Sequence, residues 1–477
     1  MRHAASFPDA PAIETSGAVL SWSGYRKSVS DITPWLSRVL SQPTATVVVE
    51  AAASAQVFSL TSALATLGVP WVAVDPSASD KKRRDQLKRV SPDMVARSGE
   101  GGDLVLHLTR TGDLVEFDSI PTVPRSTRTH KRPFRSLGFT SGTTGTAKLV
   151  RRTVPSEARR NAHFIDRFGF GPNDRFLLAM PLSHASGHGW ARTFLTAGAT
   201  VVIGKPDSEA IASRITEGAI TATLLVPPVL EEVIATLIRD HPRSQVPTQL
   251  RFLLTGGRHV ATSLVAKTFR VFGPVLHSYY GTTETGVNAI ANPQDLMIDP
   301  RTSGYAVDGS SIRIINEEGE ILPDGAVGRV VIGSYMNAGS YDTGQIPTVM
   351  IDSVDHILTA DIGYIGSDAD LRILGRGSHS IAATACGDII GLEEDLRLLP
   401  GVGGAAVVAD SIRDGLYVFL AASNLEEGDK HLLRYLAARL AALRGVRLPI
   451  ATKVVPELRF SPTGKFDSIR TLAPIGA

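Results

Sequence analysis

Short β-branched runs alternate with Ala/Leu-rich stretches along much of this chain, and that alternation restricts its folds more than any other feature. Thr44-Ala45-Thr46-Val47-Val48-Val49-Glu50 reads as a buried strand, residues 54–67 as a helix, and Val69-Pro70-Trp71-Val72-Ala73-Val74-Asp75-Pro76 as a second strand. Strand, helix, strand in this order calls for a parallel sheet with helices on its faces. The same rhythm returns at residues 176–181, 200–203, 222–228 and 250–258. A chain of 477 residues exceeds one compact core, so two or more domains are expected.

Within that frame one stretch carries chemistry. Phe139-Thr140-Ser141-Gly142-Thr143-Thr144-Gly145-Thr146-Ala147-Lys148 sits between the apolar runs Leu137-Gly138-Phe139 and Leu149-Val150. The pattern reads as a hairpin-like loop between two strand ends. Glycines let the backbone approach an anion, successive N–H groups and hydroxyls can ring phosphate oxygens, and Lys148 adds a mobile charge at the rim. An ordinary flexible turn has the same composition. A Walker loop does not fit, because Gly142 and Gly145 are too close and Leu149 follows the lysine.

Four further segments could meet such a loop. Leu182-Ser183-His184-Ala185-Ser186-Gly187-His188-Gly189-Trp190 follows a strand, where α/β folds place ligand sites, although a satisfied buried histidine reads the same way. Thr255-Gly256-Gly257-Arg258 ends a strand in a turn flat enough for a ring system, or in a plain strand-to-helix turn. Ser278-Tyr279-Tyr280-Gly281-Thr282-Thr283-Glu284-Thr285-Gly286 combines a ring, hydroxyls and a carboxylate suited to a hard cation. Lys465, in Pro462-Thr463-Gly464-Lys465-Phe466-Asp467, is on its own merits a solvated lysine.

Composition excludes several other roles. Hydrophobic content of 43% with 20% charged residues describes a soluble globular protein, and a net charge of +2 gives no pull toward nucleic acid or anionic membrane. The basic run Lys81-Lys82-Arg83-Arg84 has no interleaved aromatics and reads as the solvated side of a helix; residues 125–135 read as an exposed connection. The single cysteine, Cys386, allows no internal disulfide and has no activating base beside it. Residues 1–8 lack a secretory core, and no run reaches the ~18 apolar residues of a membrane span, so the expected compartment is the cytoplasm. Residues 300–335 shift to short strands and turns, a small antiparallel β subdomain, and the last hundred or so residues alternate strand and helix.

Residues 139–148 closely resemble the signature loop of the adenylate-forming superfamily, which contains acyl-CoA synthetases, nonribosomal peptide synthetase adenylation domains and beetle luciferase. The companion motifs follow in order: Pro181-Leu182-Ser183-His184, the Gly256-Gly257 turn, Tyr280-Gly281-Thr282-Thr283-Glu284, Thr359-Ala360-Asp361, Gly375-Arg376 and Gly464-Lys465. The resemblance implies an α/β fold: a large N-terminal domain, residues 1–375, of doubly wound sheets plus a small β subdomain, and a small mobile α+β C-terminal domain, residues 376–477. It assigns ATP and Mg2+ to the site. Thr140, Ser141, Gly142, Thr143, Thr144, Gly145 and Lys148 would hold phosphates, with Gly281 and Thr282 in the same nucleotide site. Gly256, Gly257 and Tyr280 would pack the adenine, Asp361 and Arg376 would take the ribose, and Thr283 the α-phosphate. Glu284 would hold the metal and Lys465 would be the catalytic lysine. His184, Gly187, His188 and Tyr279 would line the acid pocket.

The implied reaction joins a small-molecule carboxylic acid to AMP, releases pyrophosphate, and passes the acyl group to an acceptor. No acidic residue lies between Met180 and Trp190, where α-amino-acid-activating relatives carry an aspartate, so an acid without an α-amino group is expected. Ser378-His379-Ser380 and Ala382-Ala383-Thr384-Ala385 depart from the usual hinge, which in CoA-forming members lines the pantetheine tunnel. CoA is the first acceptor, a free amine the alternative, and a carrier-protein thiol the third. A non-catalytic nucleotide-binding relative is opposed by intact Glu284 and Lys465.

Overall fold

The computed structural model describes residues 3–100, 102–121, 135–140, 148–241, 245–377, 383–410, 415–423, 425–459 and 466. Ser141 to Gly145 of the phosphate loop and Lys465 lie outside them, as does the departure at residues 378–382.

A nine-stranded sheet organises the large domain. Its order is Tyr305–Ala306, Gly286–Ala291, Leu276–Thr282, Phe252–Gly256, Ala222–Leu224, Arg175–Leu178, Thr200–Ile203, Pro11–Glu14 and Val19–Ser21. Six neighbouring strands run parallel, from Leu276–Thr282 to Pro11–Glu14, with antiparallel strands at the margins. Arg175–Leu178 pairs on opposite sides with the two strands that follow it, Thr200–Ile203 and Ala222–Leu224. Such a reversal opens a crevice at the strands' carboxyl ends. The helix carrying His188, Ala185–Ala197, starts there.

A second sheet holds the expected β–α–β unit: Val47–Glu50 pairs in parallel with Trp71–Ala73 and Met94–Ser98, and all four residues of Val47–Glu50 are buried. The intervening helix, Ala55–Leu67, begins where the Ser54 hydroxyl accepts from Val57 N–H at 3.2 Å and stops at Gly68, whose φ is +69°. Such a cap contributes about 1 kcal/mol. The basic helix Asp80–Val90 buries no residue, as expected of a solvated run, yet Arg83 reaches Glu50 at 2.7 Å and shares it with Arg97 at 2.8 Å. Glu50 is buried, and paired guanidinium groups make that tolerable.

The β subdomain is larger than residues 300–335. Ser310–Ile315 and Gly328–Ser334 are joined by Thr348–Ile351, Val354–Ile365 and Leu371–Arg376 in an antiparallel sheet. Toward the C-terminus, Gly404–Asp410, Gly415–Ala421 and Ile450–Val455 form a three-stranded sheet against helices Ile389–Arg397 and Glu427–Leu443. Among the described residues, this unit meets the preceding ones where His259 Nε2 lies 3.0 Å from Glu394, where Thr262 N–H donates to the same carboxylate at 3.1 Å, and where Arg301 reaches Asp388 at 2.7 Å. Among the described residues no helix is long and apolar enough to cross a membrane.

Candidate active site

The stem of the phosphate loop is the hairpin that the sequence implies. Arg135–Phe139 and Leu149–Thr153 are antiparallel with Phe139 opposite Leu149. Thr140 and Lys148 close the stem, Thr140 N–H donating to the Lys148 carbonyl at 2.9 Å and Lys148 N–H to the Thr140 hydroxyl at 3.0 Å.

The turn bearing Glu284 packs against that stem. Thr282 Oγ1 accepts from the backbone N–H groups of Glu284 and Thr285, both at 3.2 Å, and Thr282 N–H donates to Thr285 Oγ1 at the same distance. This local lattice fixes the turn. Gly281 has to be glycine, because a Cβ there would overlap the Gly286 carbonyl oxygen. Arg152, one strand-length beyond the loop, donates to the Thr283 carbonyl. Burial pushes its guanidinium down to about 10, against the attraction of Glu157 and Glu284. A methyl at Gly138 would sit 3.9 Å from Thr283 Cγ2, so the two motifs are in van der Waals reach.

A third segment closes this corner. Ser340–Tyr341 adds to the hairpin, Tyr341 opposite Val150. The Tyr341 hydroxyl donates to Glu284 Oε1 at 2.9 Å, and Lys148 Nζ lies 4.6 Å from the centroid of the same ring. Burial raises the Tyr341 phenol, and the Glu284 carboxylate raises it further. Among the described residues no other protein group takes Glu284 Oε2, and no group of three or more His, Cys, Asp or Glu could cage a metal. One carboxylate with a free oxygen suits Mg2+, which is held through few carboxylates plus substrate phosphates.

Asp361, Tyr280 and Arg376 form a second cluster. Asp361 and Arg376 face each other across adjacent strands, Arg376 Nε at 3.3 Å from Oδ1, while the Tyr280 hydroxyl donates to Oδ2 at 2.8 Å. Burial, then the charge of Asp361, holds the Tyr280 phenol well above its usual range. The Tyr280 ring rests on the apolar cluster of Ala289, Ile312 and Ile332.

A third group surrounds the helix start after His184. Ser186 hydrogen-bonds Tyr279, whose phenol is raised by burial; the Tyr279 ring covers Gly256, where a Cβ would collide with it, and Gly257 has a φ of +77°. Gly187 is buried with Pro181 O 3.0 Å from where its Cβ would stand. His188 is partly buried: Nδ1 is 3.1 Å from the Leu182 carbonyl, and the ring packs on Trp71 with centroids 5.1 Å apart. Burial pushes its pKa down to about 4, so the neutral ring donates through Nδ1–H.

Sequence reasoning missed Tyr341, Arg152 and a charged group behind His188. The group centres on Glu157. Burial raises its carboxyl, but Arg160, a hydrogen bond from Ser136, Arg192 and His188 outweigh that and leave it lowered. Arg160 Nη2 donates to the Gly189 carbonyl at 3.0 Å. Glu157 comes from helix Val154–Phe168, a separate stretch from residues 180–190. Only the Gly339-Ser340-Tyr341-Asp342 break after a β run signalled Tyr341.

The family model described as AMP-binding enzyme matches residues 1–342. Indoleacetate–CoA ligase of Aromatoleum aromaticum is 28% identical over 418 residues, covering 80% of this chain and 78% of that protein. Among solved structures, O-succinylbenzoate coenzyme A synthetase of Bacillus subtilis, in complex with AMP, superposes with a TM-score of 0.79 at 18% identity, over 98% of this chain and 96% of that one. The amide bond synthetase McbA of Marinactinospora thermotolerans superposes with a TM-score of 0.76 at 22% identity, over 98% of both chains.

Proposed function

This chain belongs to the AMP-binding enzyme family, and on that premise we propose that it is an ATP-dependent carboxylic acid ligase. The carrying observation is the corner where Lys148, Tyr341, Thr283 and Glu284 meet, drawn from three separate stretches of chain. In the first half-reaction a carboxylate oxygen attacks the α-phosphorus of ATP. The new bond joins that oxygen to phosphorus, the bond to the β-phosphate bridge breaks, and pyrophosphate leaves. Such transfers depend on positioning and charge neutralisation more than on covalent help from the protein.

Each side chain has a role in that scheme. Glu284 holds Mg2+, which neutralises phosphate charge when bound with the nucleotide. Thr140, Lys148 and the loop between them take the phosphates, and Thr283 the α-phosphate. Asp361, with Arg376 beside it, accepts from the ribose hydroxyls. Gly256, Gly257 and Tyr280 pack the adenine, and His184, Gly187, His188 and Tyr279 line the acid pocket. Lys465 bridges the acid carboxylate and the α-phosphate. In the second half-reaction an acceptor attacks the acyl carbonyl, AMP leaves, and residues 376–477 swing about Arg376 to admit the acceptor.

The substrate lacks an α-amino group, since no acidic residue lies between Met180 and Trp190 to pair with a substrate ammonium. The first acceptor is CoA. A free amine is favoured by one observation, the departures at Ser378-His379-Ser380 and Ala382-Ala383-Thr384-Ala385 in the hinge stretch, and a carrier-protein thiol follows it. The test supplies ATP, Mg2+, a panel of aryl and aliphatic acids, and either CoA or simple amines. Pyrophosphate is measured and products are weighed by mass spectrometry. Acid-dependent pyrophosphate release that vanishes in Lys465→Ala, with ATP binding retained, supports the reading. No release across the panel overturns it, and near-normal release from the variant removes Lys465 from its role.

A further inference from the structure

We propose that Tyr341 is a positioning residue that aims the Glu284 carboxylate at the metal–nucleotide complex and seats the Lys148 ammonium beside it. This rests on the ligase reading for what binds, but the assignment itself comes from the geometry of one ring.

A glutamate carboxylate turns freely about its last torsion, where rotamer wells are broad. A donor on one oxygen removes that freedom, and the Tyr341 hydroxyl supplies it at 2.9 Å to Oε1. With Oε1 occupied, Oε2 is the oxygen left to meet a cation. The face of the ring seats the ammonium as well, since Lys148 Nζ stands 4.6 Å from its centroid, within cation–π range. One side chain therefore relates the carboxylate that attracts a metal to the ammonium at the exit of the phosphate loop.

The platform is rigid for reasons independent of any ligand. Strand pairing sets Tyr341 opposite Val150 and Ser340 opposite Arg151. Asp342 then clamps Leu149 from both sides, accepting from its N–H at 2.9 Å through Oδ1 and donating its own N–H to the Leu149 carbonyl at 2.8 Å. Arg89 holds the other Asp342 oxygen at 3.2 Å. On the Glu284 side, Ala338 N–H donates to the Glu284 carbonyl at 2.7 Å. The stretch 338–342 thus bolts the Glu284 turn to the loop stem, and Tyr341 extends that bolt to the two charged groups.

Two substitutions separate the hydroxyl from the ring. Tyr341→Phe keeps the face under Lys148 and deletes the donor; Tyr341→Leu deletes both. Binding of a non-hydrolysable ATP analogue is measured calorimetrically, with and without Mg2+, in the absence of any acid. Loss of an outer partner of a metal-binding carboxylate weakens metal affinity by about tenfold or more. The expected result is that Mg2+ enhances nucleotide affinity about tenfold less in Tyr341→Phe than in the parent, while metal-free affinity is unchanged. Tyr341→Leu adds a metal-free loss that disappears when Lys148 is already methionine. Because the readout is a ratio within one preparation, a reduced folded fraction does not imitate it. An unchanged Mg2+ ratio in Tyr341→Phe overturns the proposal. A parent that shows no Mg2+-dependent nucleotide binding overturns the ligase reading instead.

Discussion

Replacing Asp361 with asparagine tests the ribose assignment at a position whose partners are all defined. Asp361 is 9% exposed; Oδ2 accepts from Tyr280 at 2.8 Å and Oδ1 faces Arg376 Nε at 3.3 Å. An ionised carboxylate has about four acceptor sites, so two protein partners leave two for a ribose diol. Charge-assisted hydrogen bonds contribute about 1.5–3 kcal/mol against about 0.5–1.5 for neutral ones. Asparagine should therefore lose about 2–3 kcal/mol over two bonds, or about 30- to 150-fold in ATP affinity. Stability should hardly move, because Arg376 is half exposed and an exposed pair contributes less than about 1 kcal/mol, while the asparagine carbonyl still accepts from Tyr280. Calorimetric titrations with ATP and 2′-deoxy-ATP, on both proteins, form a double-mutant cycle. Removing the 2′-hydroxyl should weaken the parent far more than Asp361→Asn. An equal penalty in both proteins would refute the contact, whatever the change in absolute affinity.

Two other expectations concern stability. His277 is buried among Phe168 and Phe252, and burial pushes it down to about 4 from an ordinary 6.5. Between those values the unfolded chain takes up a proton that the folded chain refuses, so stability is intact above pH 6.5 and is lost as pH falls toward 4, by about 3 kcal/mol for this one group. Urea unfolding across that range should show the slope, and His277→Phe should flatten it; an unaltered slope sinks the attribution. Gly281→Ala pushes a methyl into the Gly286 carbonyl, which belongs to the backbone and has little room to give. The expected cost is about 3 kcal/mol in the denaturant midpoint together with loss of Mg2+-dependent nucleotide binding, and wild-type values for both would show that the turn relaxes.

Local patterns exposed much of the architecture before any coordinates. The hairpin around Phe139 and Leu149, the buried strand Val47–Glu50 and the Ser54-to-Gly68 limits of a helix each follow from neighbours within a few residues. The β subdomain was underread because Thr348–Ile351 is short and half exposed, and Val354–Ile365 and Leu371–Arg376 lie beyond the 300–335 run of short strands and turns. His188 was placed near the site by resemblance, and its Leu182 and Trp71 partners are contacts that no local pattern announces.

By itself the sequence determined which groups were on hand for the chemistry, since a Gly/Thr loop, a carboxylate after a threonine pair and a lysine near the end are statements about residue type and order. Tertiary structure alone decided which of them meet. Tyr280 finds Asp361 81 positions away, Tyr341 finds Glu284 57 positions away, and Arg152 finds the Thr283 carbonyl 131 positions away. Propensity and periodicity act over a few residues, whereas contacts at these separations are set by strand order and register in three different sheets.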